Sequence, residues 1–359
     1  MGGESLSEKV DYFSGVALDF GKSCQIRWPK LWAEESIPTS LWQELGSLGF
    51  LGLSAPQSFG GQGMSVEDIA HVSRVFARSL GVQGLIMAVQ SHNLMADWIL
   101  GKFGSPQQQN ALWPKIAKGE ATIAFAVSEK GAGAHPKKLS STAVREGDGW
   151  RLNGQKAYVT NGPIASVFCI VAVAEKTDVR SKFQAFLVPR ESSGLEIFES
   201  EEVKYLKPSG HSSLSFKNLY VPDSACLTNL EDVYPNIVKP LRDHEDAASV
   251  RAQLGAYERI ANSLARYAKE LSIAGKIAAR LRAIALCLDH DCTAEGLLAA
   301  RAILSDVSSM VHALIAENSG VLDEGDTVLA HDLIKLGKVA SYAIDARFTL
   351  FGNNLRYCT

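Results

Sequence analysis

Three acids stand together at the head of a helical stretch. In "LRDHEDAASVRAQLGAYERIANSLARYAKE", residues 241–270, Asp243, Glu245 and Asp246 precede an apolar stripe of Leu254, Tyr257, Ala261, Leu264, Ala268 and Leu271. That spacing of three and four residues predicts one buried helix face. A carboxylate at such a place can do one of two things. In the first turn of a helix it complements the macrodipole, which contributes about 0.3–1 kcal/mol per acid. Held in a dry pocket, it can instead remove a proton from a substrate. Composition alone favours the first.

The second group is "EKGAGAHP", residues 129–136, a glycine-rich turn after a strand-like run. It is neither GxGxxG nor a Walker loop, because no third glycine and no GK[ST] follow. Alone it reads as a surface turn, although glycine there lets backbone amides approach an anion. His71 and His92 lie on helical stretches and read as solvated or core residues. No Ser-His-Asp order with a nucleophile elbow is present. The six cysteines, at 24, 169, 226, 287, 292 and 358, form no CxxC and no zinc spacing, so no metal site is expected.

The elements that must position these groups change character twice. Residues 1–119 read as an α-helical domain. "PTSLWQELGSLGFLGL" carries Ser40 and Gln43 at capping-box spacing ahead of Leu41, Leu45 and Leu48, and "GMSVEDIAHVSRVFARSL" repeats the device with Ser65 and Asp68. Residues 120–227 switch to short β-rich runs, with hairpin punctuation at Asp148-Gly149 and Asn153-Gly154; strands so closely spaced predict a small barrel or sandwich. Residues 228–359 return to helical periodicity, with Leu304, Val307, Val311 and Leu314 as another stripe, and predict a bundle. The fold class is therefore α+β and multidomain. The 359 residues carry 46% hydrophobic side chains and a net charge of -3 with both signs scattered, which excludes a basic nucleic-acid footprint. No apolar run approaches the roughly 20 residues of a membrane span. A cytoplasmic protein with reduced thiols is the simplest expectation.

The order of these segments resembles the acyl-CoA dehydrogenase family over nearly the whole chain. "LWQELGSLGFLGLSAPQSFGGQGMS", "FGSPQQQNALWPKIAKGEATIAFAVSEKGAG" and "GDGWRLNGQKAYVTNG" with "AFLVP" and "YVP" carry the resemblance jointly. It implies a helical N-terminal domain, a middle β-barrel and a C-terminal four-helix bundle. It also implies FAD between the β domain and the bundle, and α,β-dehydrogenation of an acyl thioester borne on CoA or a carrier protein. By the same resemblance Phe125, Val127 and Ser128 face the flavin; Tyr158 stands where tryptophan is usual, and Thr160 keeps its threonine. Gly131 and Gly133 fall beside the diphosphate, and Gly352 falls in the late segment that contacts adenosine. Glu245, ten residues before Gly255, takes the place of the base that some branches carry at the start of the first bundle helix.

Several positions depart from the family pattern. Gly133-Ala134-His135 replaces Gly-Ser-Asp, Lys130 replaces proline and Lys207 replaces arginine. The Arg-x-x-Phe-Gly segment is absent, and Thr349 with Gly352-Asn353 stands for Gln plus Gly-Gly. Three readings stay open: altered FAD contacts with an unusual thioester, one subunit of a heteromer, or a non-redox or non-catalytic descendant. A homodimer or homotetramer and an unknown electron acceptor follow by analogy.

Overall fold

The computed structural model describes residues 6–355, apart from 178–179, 228–229, 267–270, 291–293 and 319. Ala268, Cys292 and Cys358 lie outside the described residues. The chain resolves into two compact units, one of Ala33–Ile69 and Met87–Glu245, the other of Met1–Trp32, Ala70–Ile86 and Asp246–Thr359.

The first unit is built on a seven-stranded sheet: β1 (Ile123–Ala126), β2 (Thr142–Glu146), β3 (Gly149–Thr160), β4 (Val167–Lys176), β5 (Ser181–Pro189), β6 (Leu195–Glu199) and β7 (His211–Pro222). The order is β1-β4-β2-β3-β7-β6, with β5 also on β4. β4 alternates with period two and is buried on both faces, which accounts for its nearly unbroken apolar run. Val167, Cys169, Val171 and Val173 pack with Trp98, Trp113, Ile116 and Ile237. Phe168, Ile170 and Ala172 pack instead with Leu152, Phe186, Leu214 and Phe216. Six strands contribute to that second cluster, so the sheet curls over its own inner face as a half-barrel.

The helices of the chain are α1 (Leu6–Arg27), α2 (Thr39–Ser47), α3 (Val66–Leu80), α4 (Gln83–Met95), α5 (Pro106–Ile116), α6 (Lys239–Leu264), α7 (Leu271–His290), α8 (Ala294–Glu317) and α9 (Glu324–Leu355). In the second unit, Leu254, Tyr257, Ala261 and Leu264 of α6 are buried, as are Leu304, Val307, Val311 and Leu314 of α8. Helix α8 is apolar and long enough, by composition, to cross a membrane. Here its apolar stripe is buried among the helices of its unit. Buried Asp326 accepts hydrogen bonds from Arg259 and Ser263.

Local chemistry departs from the sequence expectation in four places. Helix α2 is entered from Pro38 without a side-chain cap, so Ser40 and Gln43 make no capping box. The reciprocal cap forms at Ser65 and Asp68, and again at Ser105 and Gln108 with Pro106 in the first turn. Gly154 is not a hairpin turn but a bulge inside β3, at φ 151°. Leu271 does not extend the α6 stripe: it opens α7 and is exposed. Most consequential, a π-helical turn at Tyr234–Val238 runs into α6, whose first turn contains no acid. Asp243, Glu245 and Asp246 therefore lie beyond the reach of the macrodipole, which fades within one turn.

Candidate active site

A cavity of about 180 Å³ opens within the first unit. Four segments bring side chains to it, and each is fixed for a local reason.

The first is the end of β1 and the turn after it. Phe125, Val127 and Ser128 line the cavity. The turn closes on itself through Glu129 N–H to the Gly133 carbonyl (3.0 Å) and Gly133 N–H to the Glu129 carbonyl (2.9 Å). Gly131 and Gly133 take φ of 73° and 57°, and an added Cβ at either would meet nothing within 4 Å. The turn therefore needs glycine for its backbone, and open space lies above it.

Beneath that turn is a buried ion pair. Lys156 Nζ, with no exposed side-chain area, donates to Glu129 Oε1 at 2.8 Å and to the Val127 carbonyl at 3.0 Å. Glu129 also accepts from Ser140 N–H, Ser140 Oγ and Ser141 N–H. Burial alone would raise the Glu129 carboxyl, but Lys156 and the serine donors hold it down to about 2. Burial pulls the Lys156 ammonium down, with Glu129 pushing back.

The second segment is β3. Ala157 N–H donates to the Ser128 carbonyl at 2.8 Å, and the register slips between Lys156 and Val159. At that slip Tyr158 adopts φ 62° and is 38% exposed. A left-handed tyrosine carries strain of about 1–3 kcal/mol, and such strain concentrates at functional sites. Tyr158, Ala157 and Thr160 all line the cavity. Thr160 Oγ1 lies 3.3 Å from His211 Nε2, and burial pushes that imidazole down to about 4.

The third segment is α4, which supplies Ser91 and Met95. Its neighbour His92 is a core residue, its Nε2 2.9 Å from the Leu51 carbonyl and its Nδ1 3.2 Å from Thr122 Oγ1. Burial drives it down to about 4.

The fourth is the entry to α6. Trp98 Nε1–H donates to the Ile237 carbonyl at 3.1 Å, and the Trp98 and His244 rings meet edge to face with centroids 4.1 Å apart. Lys102 Nζ sits 4.2 Å from the same indole and 3.3 Å from His244 Nε2. With His244 turned to Trp98, the next residue points about 100° around the helix. Val238, Leu241, Arg242 and Glu245 thus share a face, and all four line the cavity. Arg242 and Glu245 are exposed.

Of the residues singled out from the sequence, Glu245, Phe125, Val127, Ser128, Tyr158 and Thr160 come together around one cavity. Gly131 and Gly133 form the turn leading to Ala134, another lining residue, whose carbonyl accepts from Tyr234 Oη at 2.7 Å. Gly352 falls on α9 in the second unit. Lys130 pairs with Glu202 at 2.8 Å, and Lys207 with Glu35 at 2.5 Å. Sequence reasoning missed Arg242, Ser91 and Met95, although periodicity carried them: Arg242 lies three residues from Glu245 on α6, and Ser91 lies four from Met95 on α4. It also missed the Lys156–Glu129 pair. Among the described residues no group of three His, Cys, Asp or Glu is set to hold a metal.

Two family models match: "Acyl-CoA dehydrogenase, N-terminal domain" over residues 20–120 and "Acyl-CoA dehydrogenase, middle domain" over residues 124–219. Together they cover the N-terminal helices and the curled sheet, more than half of the chain, and the chain belongs to the acyl-CoA dehydrogenase family. The human mitochondrial short-chain specific acyl-CoA dehydrogenase is 32% identical over 194 residues, which is 54% of this chain and 47% of that protein. The match thus spans about half the length of that relative. Benzylmalonyl-CoA dehydrogenase of Aromatoleum aromaticum is 28% identical over 331 residues, covering 88% of this chain and 86% of that one. The crystal structure of a prolyl acyl carrier protein oxidase superposes with TM-score 0.81 at 22% identity, covering 95% and 98% of the two chains, a likeness of fold.

Proposed function

We propose that this protein is an FAD-dependent dehydrogenase that desaturates an acyl thioester at the α,β-position, with Glu245 as the base. The observation that carries the reading is the Glu245 carboxylate lining the same cavity as Phe125, Val127, Ser128, Tyr158 and Thr160. The lining suits a flat conjugated ring: Met95, Phe125 and Val127 offer apolar walls, and Ser128 and Thr160 offer hydroxyls to a ring edge. The open space over Gly131 and Gly133 suits the approach of an anionic linker to backbone. When bound, FAD supplies the acceptor for the hydride that leaves Cβ.

The chain's own residues do the rest. Glu245 Oε takes the α-proton, and the electron pair of that C–H bond becomes the new C=C bond as the hydride departs. The trans-enoyl thioester results, two hydrogens poorer. Seating a ligand excludes water from the exposed Glu245 and raises its pull on the proton. Tyr158, fixed by its bulge, and Met95 would wall in the ring.

Benzylmalonyl-CoA and a prolyl carrier-protein thioester, named for two of the similar proteins, bracket the carriers this site would accept: CoA or a carrier-protein arm. Division into domains at 1–119, 120–227 and 228–359, a homodimeric or homotetrameric assembly and a cytoplasmic setting belong to the same proposal. One observation favours a second reading, a heteromeric or non-redox descendant. Helix α9 runs unbroken through Thr349 and Gly352-Asn353, where the family resemblance implies a glycine turn. Titrating purified protein with FAD and then adding butyryl-CoA anaerobically tests between them. Stoichiometric yellow protein that bleaches supports the dehydrogenase; failure to take up FAD supports the second reading.

A further inference from the structure

The cavity holds one charge that proton abstraction does not use. Arg242 sits three residues before Glu245 on α6, so their Cβ atoms lie about 5–6 Å apart on one face. Among the described lining residues Arg242 is the one cation and Glu245 the one acid. No ion pair holds the Arg242 guanidinium among the described residues, and the cavity lining offers it no acid but Glu245.

A lone cation beside a base is a handicap in two ways. It stabilises the ionised carboxylate and so weakens its pull on a proton. When a ligand closes the cavity, the guanidinium also loses water, and its one counter-charge in the lining disappears as Glu245 takes up the proton, a costly arrangement for an ion left unpaired. Both penalties vanish if the substrate itself brings an anion to Arg242.

Position then selects the anion. The α-carbon must lie at the Glu245 carboxylate, and Arg242 is one helical turn away. A carboxylate borne on the acyl group, a few bonds from the α-carbon, falls within reach of the guanidinium. The phosphate of a pantetheine arm lies at the far end of a long chain beyond the sulfur. We infer that Arg242 is a specificity-determining residue that receives a second carboxylate on the acyl group, making the preferred substrates thioesters of dicarboxylic acids. The guanidinium offers two parallel N–H donors to such a group, which lysine cannot reproduce.

This inference rests on the dehydrogenase reading for its kinetics but not for its binding, and the test separates them. FAD-loaded wild type and Arg242→Gln are compared with chain-matched pairs, succinyl-CoA against butyryl-CoA and glutaryl-CoA against valeryl-CoA. The rate of flavin bleaching and the calorimetric Kd are both read. Wild type should favour the dicarboxylic member of at least one pair, and Arg242→Gln should shrink that ratio by about 10–100-fold, the range for a charge-assisted hydrogen bond. Arg242→Lys should recover part of it. An Arg242-dependent preference in Kd without bleaching would leave the inference standing and remove the dehydrogenase. Bleaching with no dicarboxylic preference, or an unchanged ratio in the variant, would overturn the inference and leave the dehydrogenase intact. A third arm uses succinyl- and butyryl-pantetheine lacking the phosphate. If the effect of Arg242→Gln disappears there, the anion is the phosphate and the dicarboxylate assignment falls.

Discussion

Lys156→Met tests whether the buried ion pair sets the glycine turn. The Lys156 ammonium has no exposed area, and its partner carboxylate keeps only 8%. Removing one member of such a pair costs about 3–5 kcal/mol, because the other is left charged and buried. Here Glu129 retains three donors, from Ser140 N–H, Ser140 Oγ and Ser141 N–H, which argues for the lower end. The gap between an ordinary glutamate at 4.5 and Glu129 at about 2 gives a similar ceiling, about 3 kcal/mol. Methionine also relieves the desolvation of the ammonium, so the expected net loss is about 2–3 kcal/mol. For a unit of this size that is about 5–10 °C in Tm.

The pH dependence has a definite sign. A carboxyl depressed on folding stabilises fully above 4.5, and that contribution is lost as pH falls towards about 2. In Lys156→Met, whose Glu129 is less depressed, the acid limb should still begin near 4.5 but be smaller and end at a higher pH. Scanning calorimetry reads the Tm, and fluorescence quenching of added FAD reads whether the turn keeps its shape. Lys156→Met/Glu129→Leu should recover more than half of the lost stability, since no buried charge remains. A Tm within about 1 °C of wild type, with FAD affinity unchanged, would refute the idea that this pair anchors the turn.

Tyr158→Gly should relieve the strain at φ 62°, holding stability within about 1 kcal/mol of wild type, while weakening FAD uptake; calorimetry and flavin titration separate the two effects. His92 and His211, both pushed down to about 4 by burial, bind fewer protons folded than unfolded. Stability should therefore fall as pH drops from 6.5 to 4, by on the order of 3 kcal/mol per histidine, and His92→Asn should flatten the slope of urea midpoints against pH. Gly255 faces the Arg74 carbonyl, where an added Cβ would sit at 2.0 Å. Gly255→Ala should lower the Tm by several degrees through forced separation of α3 and α6, and an unchanged Tm would contradict that packing.

Much of this architecture is written in local pattern. The α6 and α8 stripes follow from helical period, and the caps at Ser65 and Ser105 from side-chain chemistry within one turn. What stayed hidden depends on pairings distant in sequence. β1 lies parallel to β4, forty-odd residues on, and no local signal encodes that neighbour. Lys156 meets Glu129 because β3 lies against the segment before the turn, Ala157 N–H donating to the Ser128 carbonyl, a pairing of residues nearly thirty apart. Tyr158 carries a positive φ that no residue type announces. The start of α6 was misplaced because a π-helical turn containing Pro235 prolongs the helical path upstream. That displacement took the acids out of the first turn, so the macrodipole does not account for them.

Anaerobic single-turnover reduction of the FAD-loaded protein by an acyl-CoA, in wild type and Glu245→Gln, tests the central claim most directly. The account predicts that Glu245→Gln keeps its flavin and loses about 10²–10⁴-fold in the bleaching rate, the usual contribution of a positioned base. Undiminished bleaching in the variant would contradict it.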